Sequence, residues 1–291
     1  MKVTLWGTRG SLASPGPETA RYGGNTSCVE VLGDDGTVLV LDAGTGIRRL
    51  GMTLPDSLRR VDILLTHLHM DHIQGLGFFA PLHNPDVEVH IWGPASTTLN
   101  LLMRLTRYLS PPLFPVHLLD LPCQLQLREV PCGDFEVGEF QVSSVLVCHP
   151  GPTVGYRIET AGTALTYLPD HEPALGVPKF PLSKDWTSGY ALAAGVDLLI
   201  HDAQYNSDEY AERVGWGHSS LEQAFKFATL AGVKRFVPFH HDPAHNDDYL
   251  DHLITEMVMS TEPTFAVTPG TEGTTFELGD TGASESSVNK S

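Results

Sequence analysis

The chain has 291 residues, of which 41% are hydrophobic, enough to bury a core in one large domain or two small ones. Its 18 Lys and Arg residues against 35 Asp and Glu residues give a net charge of −17. A surface this acidic repels polyanions, so stable binding to nucleic acid is not expected.

Short apolar runs alternate with polar turns along the first third of the chain and predict buried β-strands. The run at 61–65 is apolar throughout and leads into a helix predicted to begin near Asp71. Further helices are predicted at 96–108, 219–230 and 247–261, and the proline-rich segment 110–121 is expected to be irregular. The predicted strands cover residues 3–6, 29–32, 38–41, 61–65, 87–92, 125–130, 135–137, 140–147, 154–159, 163–167, 196–200, 233–239 and 265–268.

Both halves of the chain show strands followed by helices. This pattern predicts two β-sheets packed face to face with helices outside, an αββα sandwich. We predict one domain over residues 1–279. Residues 280–291 are polar and rich in Gly and Ser, and they are predicted to form a disordered tail.

The compartment is inferred from what the sequence lacks. The N-terminus has no apolar signal core with a cleavage site, and no stretch approaches the roughly 18 apolar residues that cross a bilayer. The four cysteines include no C-x-x-C pair, which favours reduced thiols, with a Cys123–Cys132 disulfide as the alternative. We therefore expect a cytoplasmic protein without a membrane segment.

Three histidines and one aspartate lie within six residues, directly after a predicted buried strand. In an extended segment His67 and His69 point the same way, whereas Asp71 and His72 lie where the chain turns into a helix. One short loop can therefore supply two ligands to each of two metals. Imidazole and carboxylate ligands suit Zn²⁺, our first expectation, and also Mn²⁺ or Fe²⁺.

This H-x-H-x-D-H loop resembles the signature of the metallo-β-lactamase superfamily, and other motifs of that superfamily follow in order. Asp42, in Val-Leu-Val-Leu-Asp-Ala-Gly-Thr-Gly, resembles the aspartate that buttresses the metal loop. His149, Asp170 and His240, each near the end of a predicted strand, resemble the remaining ligands. His241 is the alternative to His240 as the last ligand.

The resemblance implies two divalent cations bound side by side, with Asp170 bridging them. His171, beside Asp170, is expected to be a solvated loop residue. The first implied ligand set is His67, His69 and His149, and the second is Asp71, His72 and His240.

The segment Gly-Thr-Arg-Gly-Ser-Leu at 7–12, followed by Tyr-Gly-Gly-Asn-Thr-Ser-Cys at 22–28, resembles the opening of the ribonuclease Z and cyclic-nucleotide phosphodiesterase branch. Glycines let backbone N–H groups approach an anion, and Asn25 and Ser27 are predicted to add substrate-binding donors. The alternative is a tight structural turn beside the metal loop.

The segment His-Asp-Ala at 201–203 resembles the His-Glu-Ala segment of that branch, and Gly-His-Ser-Ser at 217–220 precedes a predicted helix. The resemblance pairs His218 with Asp202 and places His218 at the scissile phosphate. There it would protonate the leaving oxygen or neutralise its charge, and Asp71 would accept a proton from the attacking water. The alternative for His218 is a helix-capping role.

The size of the substrate is inferred from what this chain lacks. Ribonuclease Z enzymes carry a basic arm that grips tRNA, whereas the segment 96–121 has only Arg104 and Arg107 among apolar residues, which favours a lid or a dimer contact. With the net charge of −17, this predicts a phosphodiesterase for a small substrate, first a 3′,5′-cyclic nucleotide hydrolysed to the monophosphate. Alternatives are a ribonuclease Z-like endonuclease, a thioesterase or lactonase on the same site, and a metal-binding protein without activity. A homodimer is implied by the resemblance alone.

Overall fold

The computed structural model describes residues 1–174, 180–181 and 183–279, and the backbone of 286–287. Its strands form one eight-stranded and one seven-stranded sheet. In chain order the strands are β1 Lys2–Gly7, β2 Cys28–Leu32, β3 Val38–Leu41, β4 Arg60–Leu64, β5 Glu88–Pro94, β6 Gln124–Val130, β7 Gly133–Val137, β8 Phe140–Leu146, β9 Val154–Thr160, β10 Thr163–Leu168, β11 Leu198–Asp202, β12 Arg235–Phe239, β13 Ala266–Val267, β14 Thr274–Glu277 and β15 Ser286–Ser287.

Each sheet combines a parallel block with antiparallel neighbours. The strand orders are β15-β14-β1-β2-β3-β4-β5-β6 and β13-β12-β11-β10-β9-β8-β7. Strands β3 to β6 run parallel in the first sheet, and β10 to β13 run parallel in the second. The carboxyl ends of a parallel block lie at one edge of its sheet, which is where loops can build a site.

Helices lie on the outer faces of both sheets. Helices α1 to α3 contribute buried residues to the cluster outside the first sheet, and α4, α6 and α7 contribute to the cluster outside the second. The helices are α1 Ile47–Gly51, α2 Met70–Ile73, α3 Leu101–Leu105, α4 Tyr190–Ala193, α5 Ser207–Glu212, α6 Leu221–Ala231 and α7 Asp247–Thr261. Short 3-10 helices span Pro17–Thr19, Leu76–Phe78, Ala80–His83, Leu118–Asp120 and Lys184–Trp186.

The alternation of side chains along the strands builds the layers. In β3, Val38 and Val40 pack outward against helices, whereas Leu39 and Leu41 pack inward against the second sheet. In β12, Phe236 packs outward, whereas Val237 and Phe239 pack inward. These three apolar clusters confirm the predicted αββα sandwich.

One predicted helix is much shorter than expected, and the helix predicted to begin near Asp71 is present but brief. The helix predicted at 96–108 is limited to α3, because the side chain of Asn100 accepts a hydrogen bond from Met103 N (2.9 Å) and caps the helix there. The helix after Asp71 lasts one turn, since Gly75 approaches the carbonyl of Gly44 too closely for any Cβ, and a 3-10 turn follows.

The remaining expectations concern the cysteines, the membrane and the tail. All four cysteines are free thiols, so the alternative disulfide is not formed. Within the part of the chain that the structure describes, no helix combines the length and apolarity that a bilayer span requires. In the tail predicted to be disordered, 286–287 pair with β14, and residues 280–285 and 288–291 lie outside the described residues.

Candidate active site

The residues predicted as metal ligands collect at one edge of the sandwich. The loop from His67 to His72 follows β4, and Asp170 and His240 follow β10 and β12. His149 follows β8, whose antiparallel partner β9 returns from the same edge. Strand ends therefore bring together residues that are far apart in the sequence.

Asp170 lies at the centre of this cluster and turns one carboxylate oxygen to each side. Its Oδ2 lies 3.7 Å from His67 Nε2 and 3.6 Å from His149 Nε2. Its Oδ1 lies 2.9 Å from His72 Nε2 and 3.3 Å from His240 Nε2. The two oxygens of Asp170 thus face different histidines, an arrangement compatible with the bridging role predicted for it.

The other candidate ligand atoms divide between these two sides. Asp71 Oδ2 lies 3.2 Å from His240 Nε2 and 3.4 Å from His72 Nε2. His69 Nδ1 lies 3.2 Å from His149 Nε2. Within each group the ligand atoms lie no more than 4.8 Å apart. The groups are His67, His69, His149 and Asp170 on one side, Asp71, His72 and His240 on the other, and a third, Asp170, His218 and His240, that shares members with both.

The chemistry of the donors fits divalent cations. His67 Nε2 is buried and has no hydrogen-bond partner, and His72 Nε2 is buried and faces the carboxylates of Asp170 and Asp71. A buried polar atom without a partner is costly, so imidazole nitrogens facing carboxylate oxygens on both sides of Asp170 indicate a missing partner of positive charge. Imidazole and carboxylate groups in these numbers suit Zn²⁺, Mn²⁺ or Fe²⁺.

The histidines are held by hydrogen bonds on the ring nitrogen that faces away from the cluster. A carboxylate, a backbone carbonyl and an amide oxygen accept from three of them, which keeps the proton on Nδ1 and leaves Nε2 for a cation. The contacts are His67 Nδ1 to Thr66 Oγ1 (3.1 Å), His72 Nδ1 to Asp42 Oδ2 (2.8 Å), His149 Nδ1 to Gly217 O (2.8 Å) and His240 Nδ1 to Gln204 Oε1 (3.2 Å).

Asp42 supports the metal loop from below. Its fully buried carboxylate accepts hydrogen bonds from Thr66 N (2.7 Å) and Tyr167 OH (3.0 Å) as well as from His72. Asp42 and His240 both have positive φ angles, 58° and 60°. Such strain persists only where surrounding contacts fix the backbone, and at Asp42 the backbone N also donates to Leu64 O (3.0 Å).

His218 lies beside the cluster with a carboxylate of its own. Its Nδ1 lies 2.7 Å from Asp202 Oδ2 and 3.8 Å from Asp170 Oδ2, and its ring stacks 5.0 Å from that of His240. Asp202 also accepts from Gln204 N and from the backbone N of the residue after His218. Burial lowers the pKa of His218, but the neighbouring carboxylates, led by Asp202, outweigh it and raise that pKa to about 9.

The pKa values of the histidines predicted to bind metal on the first side shift in the opposite direction, because there the effect of burial dominates. It lowers the pKa of His67 well below its ordinary value and that of His149 to about 4. Both rings are therefore neutral near pH 7. A neutral imidazole is the form that binds a metal ion.

Glu172, which fixes the loop before His218, was not predicted from the sequence. Its buried carboxylate accepts hydrogen bonds from Gly215 N (2.9 Å), Gly217 N (2.9 Å) and Tyr210 OH (2.8 Å). Because Gly217 O in turn holds His149, Glu172 acts on the cluster through this loop. A carboxylate with this role carries no local motif.

Asn25 and Ser27 do not reach the cluster, and their prediction as substrate donors is corrected. The side-chain amide of Asn25 donates to Glu272 (3.0 Å), and Ser27 is fully buried. The glycine-rich opening is a structural turn instead, since Thr8 N and Arg9 N donate to Asn25 O and Gly10 N donates to His241 O. Ser11 N donates to Asp71 Oδ2 (2.7 Å). Its contribution is to hold Asp71.

Two further histidines are placed clearly by their contacts. His171 is fully buried and its Nδ1 lies 2.8 Å from His201 Nε2, so the expectation of a solvated residue was wrong. His241 Nε2 donates to Gly270 O (2.9 Å), away from the ligands. The structure thus brings His240, and not His241, into the cluster.

Two clefts open beside the cluster, on either side of Pro150. One, of about 600 Å³, is lined by His218, Gln204, Tyr205 and Trp216. The other, of about 340 Å³, is lined by two of the candidate ligands, and Arg104 and Arg107 form part of its wall. Volumes in this range suit small molecules.

Comparison with known proteins gives consistent matches. The family model of the β-lactamase superfamily domain matches residues 37–241. The ribonuclease Z of Gemmatimonas aurantiaca is 25% identical over 293 aligned residues, covering 85% of this chain and 90% of that protein. The crystal structure of human tRNase Z, short form, has a TM-score of 0.66 at 22% identity, covering 96% of this chain and all of that one (100%). A diphosphatase from the PhnP family has a TM-score of 0.67 at 17% identity, covering 96% and 98% of the two chains.

Proposed function

Because this chain belongs to the metallo-β-lactamase superfamily and is a metal-dependent hydrolase, we propose that it is a two-metal phosphodiesterase for small substrates, first of all 3′,5′-cyclic nucleotides. The observation that carries the proposal is the pair formed by His218 and Asp202, 2.7 Å apart at the rim of the cluster. Two candidate ligand groups do not include His218, and a third combines it with Asp170 and His240. Because Asp202 already holds the Nδ1 of His218, we assign this ring to the leaving group and not to a cation.

Phosphodiester hydrolysis requires a proton, or a positive charge, at the leaving oxygen. His218 donates this proton, and Asp202 Oδ2 orients the ring and stabilises its protonated form. Asp71 accepts the proton of the attacking water. When bound, the two cations supply a water of lowered pKa and neutralise charge on the phosphoryl oxygens.

The clefts and the charge support a small substrate. The cleft beside His218, about 600 Å³, has the volume of a site for one small molecule. The net charge of −17 opposes the approach of a long polyanion. A cyclic nucleotide carries one negative charge and meets less repulsion.

A ribonuclease Z-like endonuclease is the second candidate. It is favoured by the name of the Gemmatimonas relative, which aligns over most of both chains. Strong, salt-sensitive binding to precursor tRNA would support it. A thioesterase or lactonase on the same metals remains the third alternative, and such an enzyme would not need His218 as an acid.

The test is turnover by the purified, metal-loaded protein on a defined panel. The panel contains purine and pyrimidine 3′,5′-cyclic nucleotides, a precursor tRNA and an acyl thioester, with EDTA-treated protein as the control. We expect cyclic nucleotides to be converted to monophosphates and EDTA to abolish the conversion. Cleavage of only the tRNA or only the thioester would be consistent with the proposed metal site but would refute the proposal that the substrate is a cyclic nucleotide.

Three further parts of the proposal have their own measurements. Zn²⁺ is the proposed metal, which metal analysis of the protein purified without added metal would test. A homodimer is proposed from the sequence resemblance, and sedimentation gives the mass. A cytoplasmic location is tested by cell fractionation.

A further inference from the structure

We propose that the cleft beside His218 is a subsite for a planar aromatic group of the substrate, with Trp216 as its stacking surface. This inference rests on the proposed function and deepens it by placing the nucleobase. The cleft has a volume of about 600 Å³, and its lining includes His218 and two aromatic residues, Tyr205 and Trp216. A substrate whose leaving oxygen lies at His218 therefore has its leaving group in an aromatic cleft.

Trp216 is 60% exposed, although tryptophan is among the side chains that gain most from burial. An exposed indole at the mouth of a cleft is a surface that a flat ring can cover. Base–aromatic stacking is tolerant of base identity because every base has a π-face. The subsite therefore selects for a nucleobase over an aliphatic group more strongly than it selects between bases.

The loop that carries Trp216 is fixed on both sides of it. Glu172 accepts hydrogen bonds from Gly215 N and Gly217 N, the two neighbours of Trp216, and Trp216 N donates to Arg213 O (3.0 Å). Both glycines have positive φ angles, 87° and 85°. Trp216 is thus held two residues from His218, so the stacking surface and the proton donor keep a fixed relation.

Arg213 adds a positive charge to the same cleft. Its guanidinium carbon lies 5.2 Å from the ring centre of Tyr205 and 6.0 Å from that of Trp216. These cation–π contacts keep the charge among the aromatic rings. In a protein of net charge −17, a cation here draws a nucleotide anion toward the aromatic wall.

The first experiment separates the base from the phosphodiester. A 3′,5′-cyclic nucleotide is compared with the cyclic phosphate of the same sugar without a base, using wild type, Trp216→Leu, Trp216→Phe and the control Trp186→Leu. Trp186 is 81% exposed and lines none of the clefts beside the cluster. We expect Trp216→Leu to raise KM for the nucleotide roughly 5- to 100-fold, as loss of base stacking predicts, with kcat little changed.

The base-free substrate should be hydrolysed equally by all four proteins, and Trp216→Phe should recover most of the nucleotide's affinity. Equal KM values for wild type and Trp216→Leu on the nucleotide would overturn the subsite. If wild type hydrolyses neither compound, the proposed function fails instead, so the two failures are distinguishable.

A binding measurement does not depend on turnover. Adenosine 5′-monophosphate, added to the metal-loaded protein, should quench tryptophan fluorescence in Trp186→Leu as in wild type, and the quenching should disappear in Trp216→Leu. Circular dichroism and thermal unfolding establish that the variants are folded. Persisting quenching in folded Trp216→Leu would contradict stacking on Trp216.

Discussion

Gly217 is a position where the backbone directly contacts a candidate ligand, and Gly217→Ala is therefore a sharp perturbation. Its carbonyl accepts the hydrogen bond from His149 Nδ1 (2.8 Å), and its φ angle is 85°. A Cβ added to Gly217 would lie 2.6 Å from His149 Nδ1 and would also overlap Pro150. The methyl group must therefore push the imidazole away from the cluster.

Gly217→Ala is expected to have two separate effects, one on the free energy of folding and one on metal affinity. A residue with a side chain in the left-handed region costs about 1–2 kcal/mol of folding free energy. Displacing a hydrogen bond that orients a metal-binding histidine costs about 10- to 100-fold in metal affinity. Because Gly217 contacts only His149 among the candidate ligands, the loss should fall on the first cation position.

Gly273→Ala is the matched control. Gly273 has a φ angle of 86°, and an added Cβ would have no atom within 4 Å, so it reports backbone strain alone. Both variants are measured by urea unfolding and by competition with a chelator of known affinity. If Gly217→Ala binds both ions as tightly as Gly273→Ala does, the assigned role of the Gly217 carbonyl is refuted.

Two other substitutions test the second cation position and the support below the loop. Gly10→Ala would place a methyl group against the ring of His240, so the purified protein should hold one metal ion per chain instead of two, as elemental analysis would measure. Asp42→Asn keeps a residue type that tolerates the φ angle of 58°, but its amide presents N–H groups to donors. It should lower the free energy of unfolding by about 1–3 kcal/mol and metal affinity by about 10- to 100-fold.

The outcomes that oppose these predictions are specific. Two tightly bound ions in Gly10→Ala would show that His240 does not need its present position. Unchanged unfolding and chelator competition in Asp42→Asn would show that the carboxylate does not orient His72.

The candidate ligands were predicted from the resemblance of their motifs to the metallo-β-lactamase superfamily, and each of these motifs follows an apolar strand. Strand ends can bring residues that are distant in the sequence to one edge of a sandwich, which is where the structure has Asp170, His240 and the loop containing His67. The fold followed from the same strand pattern. Helix lengths did not: the cap at Asn100 is a local contact with Met103 that was overlooked, and the close approach of Gly75 to the carbonyl of Gly44 depends on tertiary packing.

The residues that hold the ligands were beyond sequence reasoning for a physical reason. Gln204, Gly217 and Glu172 act through an amide, a backbone carbonyl and a buried carboxylate, none of which has a fixed spacing from its partner. Helix α5 is different, because its capping box, Asn206 with Glu209, is a local signal that was present in the sequence and overlooked. Ser27 was misassigned because a glycine-rich turn beside a metal loop can support that loop as well as bind an anion.

The most direct test of His218 as the proton donor in phosphodiester hydrolysis compares two leaving groups in one variant. His218→Ala is assayed on two substrates. One is a 3′,5′-cyclic nucleotide, whose leaving group is a ribose alkoxide, and the other is a 4-nitrophenyl phosphodiester, whose leaving group needs little protonation. With metal content unchanged, we predict a loss of about 10²- to 10⁴-fold on the cyclic nucleotide and a far smaller loss on the nitrophenyl ester. Equal losses on both substrates, or none on either, would contradict this role.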